Sequence, residues 1–298
     1  MEAISADEIA ALGNVVVTQI GYRRVAVSCA VPLASMLNLR TVDDVFLDVV
    51  TWSGVGRPRS TLGLLTSFSG RLDLTDAAAA CATVRPIGSP PSFSVTANFV
   101  GKRNYNTEEM KHACAEGIIA SHAGWTYERD DAAADLNLRI FVEHELAHVG
   151  VRLGKYPLHR RPYKQHHVPG SLKPPVAAAL LSLAKVNPGT RVLDPCCGGG
   201  TVLIEAALSE ALAVGGDSDV MALAATAANA RAAAVSIPIQ LWDAQALPAA
   251  DASMDHIVCN LPWGREVSVD VALESLYRRI GEELCRVLAP GGRITLLT

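Results

Sequence analysis

The chain has 298 residues, half of them hydrophobic, and a formal net charge of −4. That length gives room for two or three domains with ample core, and the overall charge does not by itself point to a polyanion partner. No stretch of roughly 18 or more apolar residues occurs, which excludes a membrane-spanning helix. The acidic opening MEAISADEIAALG lacks the basic-then-apolar layout of a secretion signal. Seven cysteines, at 29, 81, 114, 196, 197, 259 and 285, form no C-x-x-C pair. Neither a zinc knuckle nor a disulfide framework is indicated, and a reducing, cytoplasmic setting is expected.

In chain order, Ser5-Ala6-Asp7-Glu8 has the pattern of a capping box before a short helix. Val15–Val17 and Arg23–Val27 alternate as two strands around Gly21, and Val45–Trp52 reads as another strand. Leu62–Leu74 carries an apolar helical pattern. Thr75 or Asp76 opens an alanine-rich helix to about Val84, and Arg85–Pro91 has the composition of a boundary. Phe93-Val95-Ala97-Phe99 alternates as a strand, followed by the basic loop Gly101–Asn106 and a helix from Thr107 to about His122. Leu136–Val142 and Val149–Leu153 predict an antiparallel pair. Between them His144-Glu145-Leu146-Ala147-His148 matches H-E-x-x-H, which binds zinc only on a helix, where the two imidazoles share a face. Both flanks here alternate with period two, so a hairpin turn is expected and no metal is assigned.

Charge is unevenly spread. From Glu145 to Asp194 there is no intervening acid, while Arg152, Lys155, Arg160, Arg161, Lys164, Lys173, Lys185 and Arg191 all fall within that span. Lys173-Pro174-Pro175 then opens a helix to about Ala184, and Asn187-Pro188-Gly189 ends it. From Arg191 onward strands and helices alternate, as in a doubly wound parallel sheet.

The chemistry lies in this last third. Arg191-Val-Leu-Asp194 reads as a buried strand, Pro195–Gly200 as a tight turn, and Thr201–Ala207 as the start of a helix. Such a unit offers helix N–H groups and a positive dipole end to a ligand. The turn is D-P-C-C-G-G-G-T, however, not the G-x-G-x-x-G of a dinucleotide site. An acid beside the turn would repel a pyrophosphate but suits the cationic amino-acid end of S-adenosylmethionine. Asp217, at the end of the second strand, can accept both ribose hydroxyls, and Asp243, at the end of the third, can accept the adenine amine. Asn260-Leu261-Pro262-Trp263 follows the fourth strand. An exocyclic base amine is a weak nucleophile because its lone pair is delocalised into the ring. The Asn260 side-chain oxygen and the Leu261 carbonyl can accept its hydrogens and aim the lone pair at a methyl group. Pro262 stiffens the turn, and Trp263 offers a stacking face.

The motifs Asp194–Thr201 and Asn260–Gly264 resemble those of the THUMP-domain RNA methyltransferases, and the resemblance covers nearly the whole chain. It implies an α/β fold: a Rossmann-like methyltransferase domain at 173–298, preceded by a ferredoxin-like domain within 1–90, a THUMP RNA-binding domain at 91–155 and a basic linker at 156–172. It implies N2-methylguanosine formation in tRNA. The expected cofactor set is Asp194, Cys196, Gly198, Gly200, Thr201, Asp217, Ser218, Asp243, Ala244 and Asn260. Lys102, Arg103, Tyr105, Lys155, Arg160, Arg161 and Lys164 are expected to contact RNA, with the acceptor-stem region presented to the site. Departures from the family pattern are Gly199 where Ser or Thr is usual, Cys196 for a bulky apolar residue, and Trp263 for Phe or Tyr. The chain stops at Arg293–Thr298, read as the fifth strand, where the family adds an antiparallel hairpin, so an open sheet edge or a shortened chain is expected. Guanine in ribosomal RNA, adenine, or RNA binding without catalysis are the alternative readings. The sequence carries no signal of oligomeric state.

Overall fold

A computed structural model describes residues 1–30, 33–262 and 273–298. In chain order the elements are α1 (Glu2–Ala10), β1 (Val15–Gly21), β2 (Arg24–Cys29), α2 (Leu33–Met36), β3 (Phe46–Trp52), α3 (Thr61–Ser69), α4 (Thr75–Ala82), β4 (Ser92–Phe99), α5 (Thr107–Ser121), β5 (Thr126–Tyr127), β6 (Leu136–Glu143) and β7 (Leu146–Arg152). There follow α6 (Pro174–Ala184), β8 (Arg191–Asp194), α7 (Thr201–Leu208), β9 (Leu212–Asp217), α8 (Val220–Ala232), β10 (Ile239–Leu241), β11 (Met254–Asn260), α9 (Leu273–Val287) and β12 (Leu288–Leu297). They form two compact units: Met1–Cys29 with Arg40–Asp43 and His159–Thr298, and Ala30–Leu39 with Asp44–Leu158. Among the described residues no helix is long and apolar enough to cross a membrane.

The larger unit is built on a five-stranded sheet in the order β10-β9-β8-β11-β12, with every neighbouring pair parallel. A parallel sheet is covered on both faces, so its strands are apolar on both sides. Val192, Ala213 and Val258 point into a core with Ala177, Leu181, Val202 and Leu203 from α6 and α7. Leu193, Ile257 and Cys259, one residue out of phase, point into the opposite core with Trp242, Leu247 and α9's Ile280, Leu284 and Val287. The strand order reverses between β8 and β11. In open α/β sheets the crevice beyond the C-terminal ends of such a pair is where ligands bind. The segment read as the fifth strand lies within β12, at the sheet edge.

The N-terminal segment corrects two expectations. Ser5–Glu8 sits in the middle of α1 rather than at its start. Glu8 accepts the backbone N–H groups of Arg40 at 2.7 Å and Thr41 at 2.9 Å, and Ser5 Oγ donates to the Thr41 carbonyl. The two side chains thus capture a distant segment instead of capping their own helix. Residues 1–29 and 40–43 accordingly belong with the C-terminal sheet, not with a separate domain ending near residue 90.

The smaller unit is one five-stranded sheet, β3-β7-β6-β4-β5, whose core gathers Leu65 of α3, Phe93 of β4, Met110 and Ile118 of α5, and Leu136, Leu138 and Ile140 of β6. β3 pairs antiparallel with β7 from Phe46↔Arg152 to Trp52↔Ala147. The boundary expected at Arg85–Pro91 is therefore internal to this unit, because ladder hydrogen bonds join strands from either side of it. β6 and β7 are closed by a turn at His144-Glu145, with Glu143 opposite Leu146 and His144 at φ +55°. H-E-x-x-H is a hairpin here, without the helical face that brings its two imidazoles together.

In the larger unit one buried carboxylate joins three stretches of chain. Glu205 on α7 is 0% exposed. Arg40 donates to it through Nε at 2.8 Å and through Nη2, Tyr163 Oη donates at 2.6 Å, and Arg161 Nε approaches to 3.4 Å. Burial, then the adjacent Glu205 charge, pushes the Tyr163 phenol far above its usual range. Removing one partner of a buried ionic group strands the others without compensation. Glu205→Ala is therefore expected to cost about 3–5 kcal/mol of stability, read by urea unfolding. Glu108→Ala, which breaks an exposed pair with Lys111, should cost at most about 0.5 kcal/mol. Equal small effects would show that Glu205 does not hold the unit together.

Candidate active site

The site begins where β8 ends. The chain leaves the sheet at Asp194 and turns through Pro195–Gly200 into α7, with Gly198 at φ +51° and Gly200 at φ +77°. α8 crosses directly over this turn. A Cβ on Gly200 would lie 2.6 Å from Thr226 Cγ2, so both the conformation and the close approach require glycine there. Thr226 Oγ1 donates to the Gly198 carbonyl at 2.7 Å, and Asn229 Nδ2 donates to the Gly199 carbonyl at 3.0 Å. On the other side the Trp242 indole packs against Gly216 and donates through Nε1 to the Pro195 carbonyl at 2.9 Å. The turn is thus held by side chains of α8 and of the segment after β10.

Two carboxylates face it. Asp194 is 2% exposed; its Oδ1 accepts from Cys196 N at 3.2 Å, and the Cys259 thiol lies within hydrogen-bonding reach. Burial, opposed by these hydrogen bonds and aided by the Asp217 charge, pushes the Asp194 carboxyl up to about 7. Among the described residues none of the groups acting on it is a cation. Asp217, at the end of β9, accepts from Gly198 N at 2.8 Å and from Asp219 N at 3.0 Å, one bond to each oxygen. A carboxylate has about four acceptor positions, so capacity for ligand hydroxyls remains. Asp243 caps its own turn, accepting from Gln245 N at 2.9 Å and from the Gln245 side chain.

The second corner stands at the end of β11, next to β8 in the sheet. Leu261 N donates to the Leu297 carbonyl at 3.0 Å, Tyr277 Oη donates to the Pro262 carbonyl at 2.9 Å, and Asn260 Nδ2 donates to the Gly170 carbonyl at 3.1 Å. Asp194 and Asn260 therefore terminate adjacent parallel strands at one rim, at the reversal point of the sheet. Trp263 lies outside the described residues.

Of the other expected cofactor residues, Cys196 is half-buried in the turn, Ser218 is exposed after β9 and Ala244 is buried beside Trp242. Thr201 is buried, its hydroxyl engaged by Lys164 Nζ at 3.2 Å and Ser171 Oγ at 3.3 Å. Most of the residues expected to meet RNA are committed within the chain. Arg103 donates to the carbonyls of Val55, Gly56 and His144, and the buried Tyr105 donates to Gly56. Lys155 donates to the Ala134 carbonyl. Arg161 serves Glu205 and the Arg40 carbonyl, and Lys164 serves Leu172 and Thr201. Burial holds the Lys164 ammonium below its usual range. Each of these five side chains satisfies a carbonyl, hydroxyl or carboxylate of the chain itself. Lys102 and Arg160 are exposed. Sequence reasoning missed Thr226 and Asn229, although they are conspicuous as polar residues in the alanine-rich helix VMALAATAANARA.

With glycine turn, acid-tipped strands and a reversal point in place, the C-terminal unit has a Rossmann-like methyltransferase architecture. Residues 161–298 match the UPF0020 family, the RMKL-like methyltransferase domain. A tRNA (guanine(6)-N2)-methyltransferase of Thermus thermophilus is 34% identical over 211 residues, 70% of this chain and 62% of that protein. The U6 snRNA (guanine-N(2))-methyltransferase THUMPD2 of Mus musculus is 32% identical over 167 residues, 54% of this chain and 30% of that protein. The chain thus spans less than two thirds of the length of these relatives. The crystal structure of TrmN from Thermus thermophilus superposes with a TM-score of 0.72 at 27% identity, over 99% of this chain and 85% of that one. SMU.472, solved in complex with SAH, superposes at 0.73 and 19% identity over 96% of this chain and 84% of that one, which establishes the fold alone.

The crowding at Gly200 is directly testable. Gly200→Ala combines left-handed strain with overpacking and should cost about 2–4 kcal/mol in chemical denaturation. Adding Thr226→Ser removes the nearest methyl, keeps the hydroxyl that meets Gly198, and should return about 1 kcal/mol. No recovery would mean that the contact with Thr226 is not the source of the cost.

Proposed function

We propose that this chain transfers a methyl group from S-adenosylmethionine to the exocyclic N2 of a guanine in tRNA, acting in the cytoplasm. The observation that carries the reading is the pairing of a buried acid that meets no counter-charge among the described residues, Asp194, with an amide-bearing corner, Asn260–Pro262, on adjacent strand ends. A cationic ligand end would supply the missing charge. S-adenosylmethionine, when bound, supplies a methyl group already activated on a sulfonium.

The chain's own residues do the rest. Asp194 and the backbone of Gly198 and Gly200 hold the amino-acid end, Asp217 takes the ribose, and Asp243 with Ala244 faces the adenine. Asn260 Oδ1 and the Leu261 carbonyl accept hydrogen bonds from the target amine, drawing its lone pair out of conjugation and toward the methyl. Catalysis is then chiefly positioning. The relatives' shared guanine-N2 chemistry supports guanine as the base, while their RNAs differ. For the RNA, the exposed Arg160 and Lys102 are the phosphate contacts we favour, with an acceptor-stem region as the element presented. Seven cysteines without a disulfide suit the cytoplasm.

The decisive assay incubates the protein with S-adenosylmethionine and unmodified tRNA, with ribosomal and small nuclear RNA in parallel. Mass spectrometry of the nucleosides should show N2-methylguanosine from tRNA; methyladenosine, or no product, overturns the reading. Asn260→Ala should lower kcat by about 10²–10³, the scale of losing one aligned polar contact to the reacting group, with cofactor affinity little changed by calorimetry.

The pH dependence has a definite sign. Because the Asp194 carboxyl is raised to about 7, it is protonated below that pH and ionised above it. Cofactor affinity should therefore rise with pH through about 7 and then level off, and Asp194→Asn should flatten the profile. The ligand-free fold should respond oppositely between the ordinary carboxyl range and about 7, losing stability as pH rises, because the folded state holds this proton longer than the unfolded chain. Arg160→Glu should weaken tRNA binding and lower its salt slope by about one unit, without changing cofactor affinity. An unchanged slope would remove Arg160 from the interface.

A further inference from the structure

Residues 164–172 form a strap across the glycine turn, and it is fixed along its length. Asn229 Oδ1 accepts Gln165 N at 3.1 Å and His166 N at 2.9 Å, while its Nδ2 donates to the His166 carbonyl at 2.9 Å and to Gly199. Ser171 N donates to the Val168 carbonyl at 3.0 Å, Ser171 Oγ meets Thr201, and Lys164 ties Leu172 to Thr201. The strap lies close on the turn: a Cβ at Gly199 would meet Ser171 Oγ at 3.4 Å and Val168 Cγ2 at 3.6 Å. At the end of this anchored segment Gly170, at φ +72°, offers its carbonyl to Asn260 Nδ2 at 3.1 Å.

We propose that the Gly170 carbonyl is a positioning group for the Asn260 amide, held in place by a strap anchored on the donor-binding turn. The inference rests on the methyltransferase reading and deepens it. An amide side chain has a donating end and an accepting end, and only the NH₂ end can face a carbonyl. With Nδ2 directed at Gly170, Oδ1 is the opposite end of the group, the end needed to draw electron density toward an amine's nitrogen by accepting its hydrogen. A reversed amide would present N–H groups to N–H groups and repel the substrate. Gly170 does this through its backbone, so no side-chain motif announces it. The left-handed conformation that aims its carbonyl is one glycine adopts freely, asparagine tolerates, and alanine and valine resist.

That order gives the test. Gly170→Asn, Gly170→Ala and Gly170→Val are compared in the full chain, measuring kcat for guanine methylation, the Kd for S-adenosylmethionine by calorimetry, and the melting temperature. The expected result is a graded fall in kcat, small for asparagine and about 30-fold for valine as the strained peptide rotates its carbonyl away. Cofactor Kd should stay within about threefold throughout, as befits a contact that acts on the target amine and not on the donor. A kcat indifferent to the series overturns the proposal, as does a Kd that rises in step with the fall in kcat, since the strap would then serve cofactor binding alone. A variant whose melting temperature drops is read at a temperature well below its transition, where the asparagine substitution supplies the comparison. Wild-type chain that methylates guanine while Gly170 proves indifferent sinks this inference alone. Wild-type chain that methylates no RNA removes both it and the reading beneath it.

Discussion

A carboxylate in a protein interior needs a partner, and Glu205 has three: the side chains of Arg40, Arg161 and Tyr163. They arrive from two remote stretches of chain and converge on the helix that follows the glycine turn. Asp194, which ends the strand before that turn, is also buried, yet it is met by backbone, thiol and the like charge of Asp217. The desolvation cost is the same in kind for both acids. At Glu205 it is offset by guanidinium and phenol, which makes that group a fastener. At Asp194 no cation among the described residues offsets it, and burial raises the carboxyl to about 7. One glycine turn separates an acid paired with two guanidinium groups from one that meets no cation among the described residues.

The same logic governs α8. Thr226 and Asn229 are two polar residues one turn apart on a helix otherwise made largely of small apolar side chains. Between them they satisfy the carbonyls of Gly198 and Gly199, and Asn229 also satisfies both backbone groups of His166. A turn rich in glycine has many carbonyls and no side chains with which to fix itself, so rigidity has to come from outside. α8 supplies it on one side and the Trp242 indole on the other. The strap is held by the same asparagine, so the position of the glycine turn and the position of the segment that meets Asn260 share one determinant.

What could be read in the sequence follows from how far each interaction reaches. The glycine turn, the acids at the strand ends and the Asn260 corner are local patterns, and the alternation from Arg191 onward places them on a parallel sheet without further information. The division of the N-terminal half was not legible. It depends on β3 pairing with β7 across about a hundred residues, and no local pattern encodes a partner at that distance. Ser5–Glu8 illustrates the same limit. The side chains have the chemistry of a cap, and only the fold shows that they bind the backbone of Arg40 and Thr41 instead of their own. Thr226 and Asn229 were legible in principle, because a polar pair one turn apart in an alanine helix has to be explained by something it touches.

The basic span shows why a count of charges misleads. Between Glu145 and Asp194 no acid intervenes, which suggests a surface for polyanions. Yet Arg152 is paired with Asp44 and Asp131, Arg161 with Glu205 and Arg191 with Asp255, acids drawn from elsewhere in the chain. The absence of acids within the span is what lets it receive remote ones without local competition, and the charge left at the surface is correspondingly smaller. Attraction to phosphate cannot by itself select a substrate, because phosphate contacts add affinity without sequence information. On the proposed function, selectivity for one amine resides at the rim, where the position of the Asn260 amide separates a base held as a nucleophile from one merely held.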